Sequence, residues 1–77
     1  MEYKNKYKEY TLLLGKGYAL NVYLPALLAI NCKKILLASS VKKLINDDAI
    51  IQYVEWIDDE DIVKNKFFKI IIAEPPE

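Results

Sequence analysis

Gly15-Lys16-Gly17 follows the apolar run Leu12-Leu13-Leu14 directly and precedes an apolar segment that opens near Ala19. A strand that stops on a glycine pair and turns into a helix lets backbone N–H groups approach a phosphate, because no Cβ stands in the way. The helix behind the turn adds unpaired N–H donors and the positive end of its dipole. The chemistry expected of the Gly15-Lys16-Gly17 turn is therefore the cradling of a dinucleotide pyrophosphate, as at the start of a βαβ unit. A bare G-x-G also fits a tight turn with no ligand, and the third fingerprint position holds Leu20 rather than a small residue.

Ser39, Ser40, Lys42 and Lys43 follow the second apolar run, ~20 residues beyond the glycines. An Asp or Glu at this place would bind the ribose hydroxyls of NAD, and there is none. Hydroxyls and ammonium groups suit a 2′-phosphate instead, so the cofactor expectation is NADP or NAD with a lean to NADP. The same residues equally suit a capped helix start with a solvated face. Ala73, Glu74 and Pro75 end the last apolar run, where a cofactor would cross the sheet; the prolines also fit a rigid chain exit. Asp58, Asp59, Glu60 and Asp61 point in different directions around a helix turn, so capping is expected of them and metal binding is not. Tyr3, Tyr7, Tyr10 and Trp56 read as packing residues.

The absent residue types exclude whole chemistries. No histidine occurs, so neither a Ser-His-Asp triad nor a histidine metal ligand can form within the chain. Cys32 is the single cysteine, which removes a disulfide framework and suits a cytoplasmic setting. Lysines alone balance the acids to zero net charge, and the lack of arginine argues against a nucleic-acid partner. The polar start reads as no signal peptide, and the longest apolar stretch, Tyr18 to Ile30, is too short and too interrupted to span a bilayer.

The elements that must position these residues follow from hydrophobic patterning. With 77 residues, 53% of them hydrophobic, the chain reads as one small domain with enough apolar mass for a core. Tyr10–Leu14, Ile35–Ala38, Ile50–Val54 and Phe67–Ala73 are continuous apolar runs, as strands buried on both faces of a parallel sheet read. Ala19 to Ile30, Ser40 to Ile45 and Asp58 to Val63 carry helical signals between them, with Ser39 or Ser40 as the N-cap of the second. Pro25 implies either a helix that starts near Leu24 or one that starts near Ala19 and kinks. The expected fold is an α/β three-layer sandwich with a four-stranded parallel sheet of order 3-2-1-4, a truncated Rossmann fold. No fifth strand is read after Phe67–Ala73, which leaves that run as a sheet edge. A homodimer through this edge, or a partner chain completing the sheet, is therefore expected.

Leu13-Leu14-Gly15-Lys16-Gly17, Tyr23-Leu24-Pro25-Ala26-Leu27 and Ile71-Ile72-Ala73-Glu74-Pro75-Pro76 together resemble the amino-terminal part of the glucose–fructose oxidoreductase/inositol dehydrogenase/MocA (Gfo/Idh/MocA) family. That family opens with a G-x-G turn and an H-L-P-A-L-like helix, and its fourth strand commonly ends in A-T-P-P. Tyr23 stands here where histidine is usual, and Glu74 where threonine is usual. Trp56 with Asp58-Asp59-Glu60 is also similar to the segment before the family's third helix. The resemblance runs from about Tyr10 to Pro76. It implies that Gly15, Gly17 and Tyr18 line the pyrophosphate, Ser39 and Ser40 the adenosine ribose, and Ala73 to Pro75 the middle of the cofactor. The family's catalytic lysine, in an E-K-P-like motif, and its substrate domain would lie beyond Glu77, so no catalytic residue is expected here. The expectation is the NAD(P)-binding portion of an oxidoreductase. The alternative is a non-catalytic assembly or regulatory module on the same fold. A methyltransferase fold fits less well, because the acids that family carries before its glycines and after its second strand are missing.

Overall fold

The computed structural model describes residues 5–73. Four strands, β1 (Thr11–Leu14), β2 (Ile35–Ala38), β3 (Val54–Ile57) and β4 (Lys69–Ile72), form one parallel sheet in the order β3-β2-β1-β4. This is the α/β architecture and strand order that the patterning predicts. β1 and β2 are central, and Leu12, Leu13, Ile35, Leu36 and Leu37 are essentially inaccessible to water. Burying each such side chain stabilises the fold by about 1.5–3 kcal/mol, so these two strands anchor the molecule.

The two faces of the sheet are covered unequally. Leu13, Ile35, Leu37 and Val54 face one way, where Ala19, Leu24 and Val41 complete a core. Ala19 belongs to a π-helical turn (Ala19–Tyr23), Leu24 to helix α1 (Leu24–Ala29), and Val41 to a 3₁₀ segment (Ser39–Leu44). Ile50 of the one-turn helix α2 (Asp48–Ile51) packs there too. Leu12, Leu36 and Ile57 face the other way, against Tyr7, Tyr10 and Phe67 and Ile62 of helix α3 (Asp59–Ile62). Tyr7 meets Tyr10 edge-on at 5.4 Å and stacks with Phe67 at 6.3 Å, so these tyrosines do pack the leading segment onto the sheet. The change of face between α2 and α3 follows from topology. The chain steps outward from β1 to β3, then returns to pair β4 with β1, and right-handed crossovers put that return on the opposite side.

Several local expectations are corrected. The third strand is Val54–Ile57 rather than Ile50–Val54, because Asp47 accepts the Ala49 N–H at 2.9 Å and starts a helical turn through Ile50 and Ile51. Trp56 thus lies within β3, half-buried. The helix expected over Ser40–Ile45 is the 3₁₀ segment, whose N-cap position is Ala38 and which has no side-chain cap bond, so neither serine caps it. Pro25 meets the first of the two expectations, since α1 starts at Leu24 with the proline in its first turn, but a helical turn already precedes it. Helical backbone begins at Gly17 and runs on through the proline, and the turn before it widens, with Leu24 N–H donating to the Ala19 carbonyl five residues back. A proline has no N–H to give and its ring presses on the carbonyl four residues back; a widened turn accommodates both.

Helix α1 ends on Asn31, at φ 61°, with Asn31 N–H donating to the Leu28 carbonyl and Cys32 N–H to that of Leu27. These are the two bonds of a Schellman motif with asparagine in the left-handed position. Asn65 is buried between α3 and β4; its Nδ2 donates to the Asp61 carbonyl at 2.8 Å, while its Oδ1 has no partner. β4 also departs from expectation. Ile70 and Ile72 are more than half exposed, because nothing among the described residues covers the sheet face beyond Leu12 and Leu14. No helix among the described residues is long and apolar enough to cross a membrane.

Candidate phosphate-binding turn

The glycine turn sits where the strand order reverses, between the carboxyl ends of β1 and β4. Ligands of open α/β sheets bind in the crevice at such a switch point. The two glycines have different physical reasons to be there. Gly15 has φ +134°, and a Cβ on it would stand 2.5 Å from the Ala73 carbonyl oxygen and 3.0 Å from the Ala19 Cβ. Ala73 N–H donates to the Leu14 carbonyl at 2.9 Å, which holds that backbone in place. Gly15 is therefore demanded by the close approach of β4 to the turn. Gly17 has an ordinary φ, and its Cβ would meet only Asn21 Nδ2, at 3.8 Å. The fold makes no demand for glycine there.

Helical hydrogen bonding starts with Leu20 N–H donating to the Lys16 carbonyl at 3.0 Å. The N–H groups of Gly17, Tyr18 and Ala19 precede that first bond and form the first turn of the helix. Gly17 is exposed and Ala19 buried, so the donors run from open solvent into the core. Lys16 is exposed; Tyr18 is half-buried and meets Tyr23 edge-on at 5.7 Å.

The remaining sequence candidates divide into those brought to this end of the sheet and those kept from it. Ala73 lies against Gly15. Leu13 pairs with Leu37, so Ser39, two residues past Leu37, stands level with Gly15 at the carboxyl end of the neighbouring strand. Ser39 is half-buried and Ser40 exposed. Lys42 has its Nζ over the Trp56 ring at 5.8 Å, which turns its charge toward β3. Glu74 and Pro75 lie outside the described residues. Asp58, Asp59, Glu60 and Asp61 form the cap position and first turn of α3, and among the described residues no three acidic or cysteine side chains come together as a metal site.

A feature with no sequence signal lies at the opposite end of the sheet. A cleft of about 720 Å³ opens there between Tyr10, Cys32, Tyr53 and Glu55, with Leu28 and Val54 among its walls. These residues precede or open β1, β2 and β3, so only the parallel register assembles them. The adjacent Glu55 carboxylate, able to accept from the Tyr10 hydroxyl, holds that phenol above its ordinary value, and desolvation adds to the shift. The cleft is far from the glycine turn, since it faces the amino ends of the strands.

No protein-family model, curated protein or solved structure matches the chain. Its class is therefore set by the fold alone: a four-stranded parallel α/β sheet of order 3-2-1-4 with a glycine turn at the reversal point.

Proposed function

We propose that the chain binds the pyrophosphate of a dinucleotide, NADP(H) or NAD(H), over the Gly15–Gly17 turn, as the cofactor-binding portion of an oxidoreductase of the Gfo/Idh/MocA kind. The observation that carries this reading is Gly17. It opens a helix at the switch point, and the space a side chain would take there is empty of protein. A diphosphate in that space would accept from the first-turn N–H groups and meet the positive end of the helix dipole. Ser39, at the end of β2, is placed to reach the adenosine ribose, with Ser40 beside it. Bound nicotinamide cofactor would supply a hydride; what these residues do is hold and orient its phosphates.

Calorimetric titration with NADPH and NADH tests the reading directly. Wild-type protein is expected to bind at least one of them at or below millimolar concentration. Gly17→Val should weaken that binding by at least about tenfold while leaving the far-UV circular dichroism unchanged, because the new side chain enters open space. Should the wild type bind neither, the second reading stands: an assembly module that uses its exposed apolar edge strand, where Phe68, Ile70 and Ile72 face solvent.

A further inference from the structure

β4 is the least protected element of the fold. It pairs with β1 on one side only, and among the described residues nothing pairs with the other. Ile70 and Ile72, 54% and 67% exposed, alternate on one face of the sheet, and Phe68, just before the strand, is 71% exposed. The opposite edge is managed differently: β3 exposes Glu55, and Lys42 lies over its Trp56. Charges of that kind discourage strand addition, and β4 carries only Lys69.

The backbone of β4 is set for pairing. Lys69 N–H donates to the Tyr10 carbonyl and Ala73 N–H to the Leu14 carbonyl, both toward β1. Strand alternation then sends the N–H and C=O groups of Ile70 and Ile72 outward. The side chains are compatible with a copy of the same strand. In an antiparallel pair centred on Ile70, Ile70 meets its own counterpart and Phe68 meets Ile72. Lys69 falls opposite Ile71, so the two ammonium groups do not face each other, and each lysine stem can lie along an isoleucine.

We propose that two copies of the chain pair β4 with β4, antiparallel about a two-fold axis through Ile70, to form one continuous sheet of eight strands. The contact is isologous, so it closes at a dimer. It sets the exposed apolar side chains of the two strands beside one another and satisfies the outward backbone groups of Ile70 and Ile72. The proposal is independent of cofactor binding.

Sedimentation equilibrium of the 77-residue chain tests it, with two variants. The wild type should sediment at twice the chain mass in the micromolar range. Ile70→Lys sets two like charges directly opposite each other at the axis and should weaken dimerisation at least about 100-fold, with an unchanged circular dichroism spectrum. Chain made by chemical ligation with an N-methyl group on Ile70 keeps every side chain and loses only an outward N–H. It should be monomeric where the wild type is dimeric. A wild type that stays monomeric at high micromolar concentration overturns the proposal. An N-methylated chain that dimerises as tightly as the wild type does so too, since the association would then run through side chains alone. Growth past the dimer without a plateau also overturns it, in favour of β4 adding to β3 of the next copy.

Discussion

Replacing each glycine of the turn by alanine should give opposite results. At Gly15 the φ of +134° is costly for any L-residue, by about 1–3 kcal/mol. The added methyl would also stand 2.5 Å from the Ala73 carbonyl oxygen, an atom fixed by the bond from its own N–H to Leu14. Overpacking against such a neighbour costs about 1–3 kcal/mol more. The sum, about 2–6 kcal/mol, is a large part of the total stability of a chain this size, about 4–12 kcal/mol. Gly15→Ala should therefore lower the urea midpoint by about 2 M or more, or leave the protein largely unfolded. At Gly17 the new methyl finds only Asn21 Nδ2, at 3.8 Å, and alanine narrows the unfolded ensemble. Gly17→Ala should match the wild type or exceed it by about 0.4–1 kcal/mol. Urea denaturation followed by far-UV circular dichroism reads both. A Gly15→Ala midpoint equal to that of the wild type, or a Gly17→Ala midpoint that falls as far as that of Gly15→Ala, refutes this account of the turn.

Ser40→Asp should shift cofactor preference from NADPH toward NADH by about tenfold, since a charge-assisted bond to a 2′-phosphate is worth about 1.5–3 kcal/mol; paired titrations measure the ratio, and an unchanged ratio removes Ser40 from the site. Glu9 accepts from Lys34 Nζ at 2.7 Å, and this contact holds its carboxyl below the ordinary value. The stabilisation from a lowered carboxyl is full above the ordinary value of about 4.3 and is lost as pH falls through the folded one. Carboxyl NMR titration should show Glu9 returning to its ordinary value in Lys34→Ala, and moving part of the way in high salt.

Legibility in the sequence follows burial. Thr11–Leu14 and Ile35–Ala38 are central strands walled on both faces, so their apolar runs are unbroken and their identity and pairing order can be read directly. β3 is an edge, so Glu55 interrupts it, while Ile50 and Ile51 just before it look more strand-like than the strand. Only the Asp47 cap tells the two apart, and a cap is a weaker signal than an apolar run. β4 shows the converse error: its residues are as apolar as those of β1, yet exposure depends on what lies across the sheet, which no local pattern records. The Schellman stop at Asn31 was available in principle from an asparagine at the end of an apolar helix. The glycine turn is legible as a turn. The separate roles of its two glycines are not, because one role is set by the Ala73 carbonyl, which only the return of β4 brings near.

That separation decides how much the glycine pair says about function. Because β4 pairs with β1, the carbonyl of Ala73 presses on Gly15, and a protein with this topology needs glycine there whether or not it binds anything. Gly15 therefore supports the fold and carries no weight for a ligand. Gly17 is in the reverse position. In the first turn of a helix, alanine would serve the fold better by up to about 1 kcal/mol, and no neighbouring atom forbids it. On the proposed reading, glycine at that place serves a ligand that must come closer to the backbone than a methyl group allows. A phosphate held by the Gly17, Tyr18 and Ala19 N–H groups has that requirement. The alanine and valine variants of Gly17 thus separate the two demands: stability kept in both, binding weakened in proportion to the size of the side chain. Binding that is indifferent to residue 17 would place any cofactor elsewhere on the sheet.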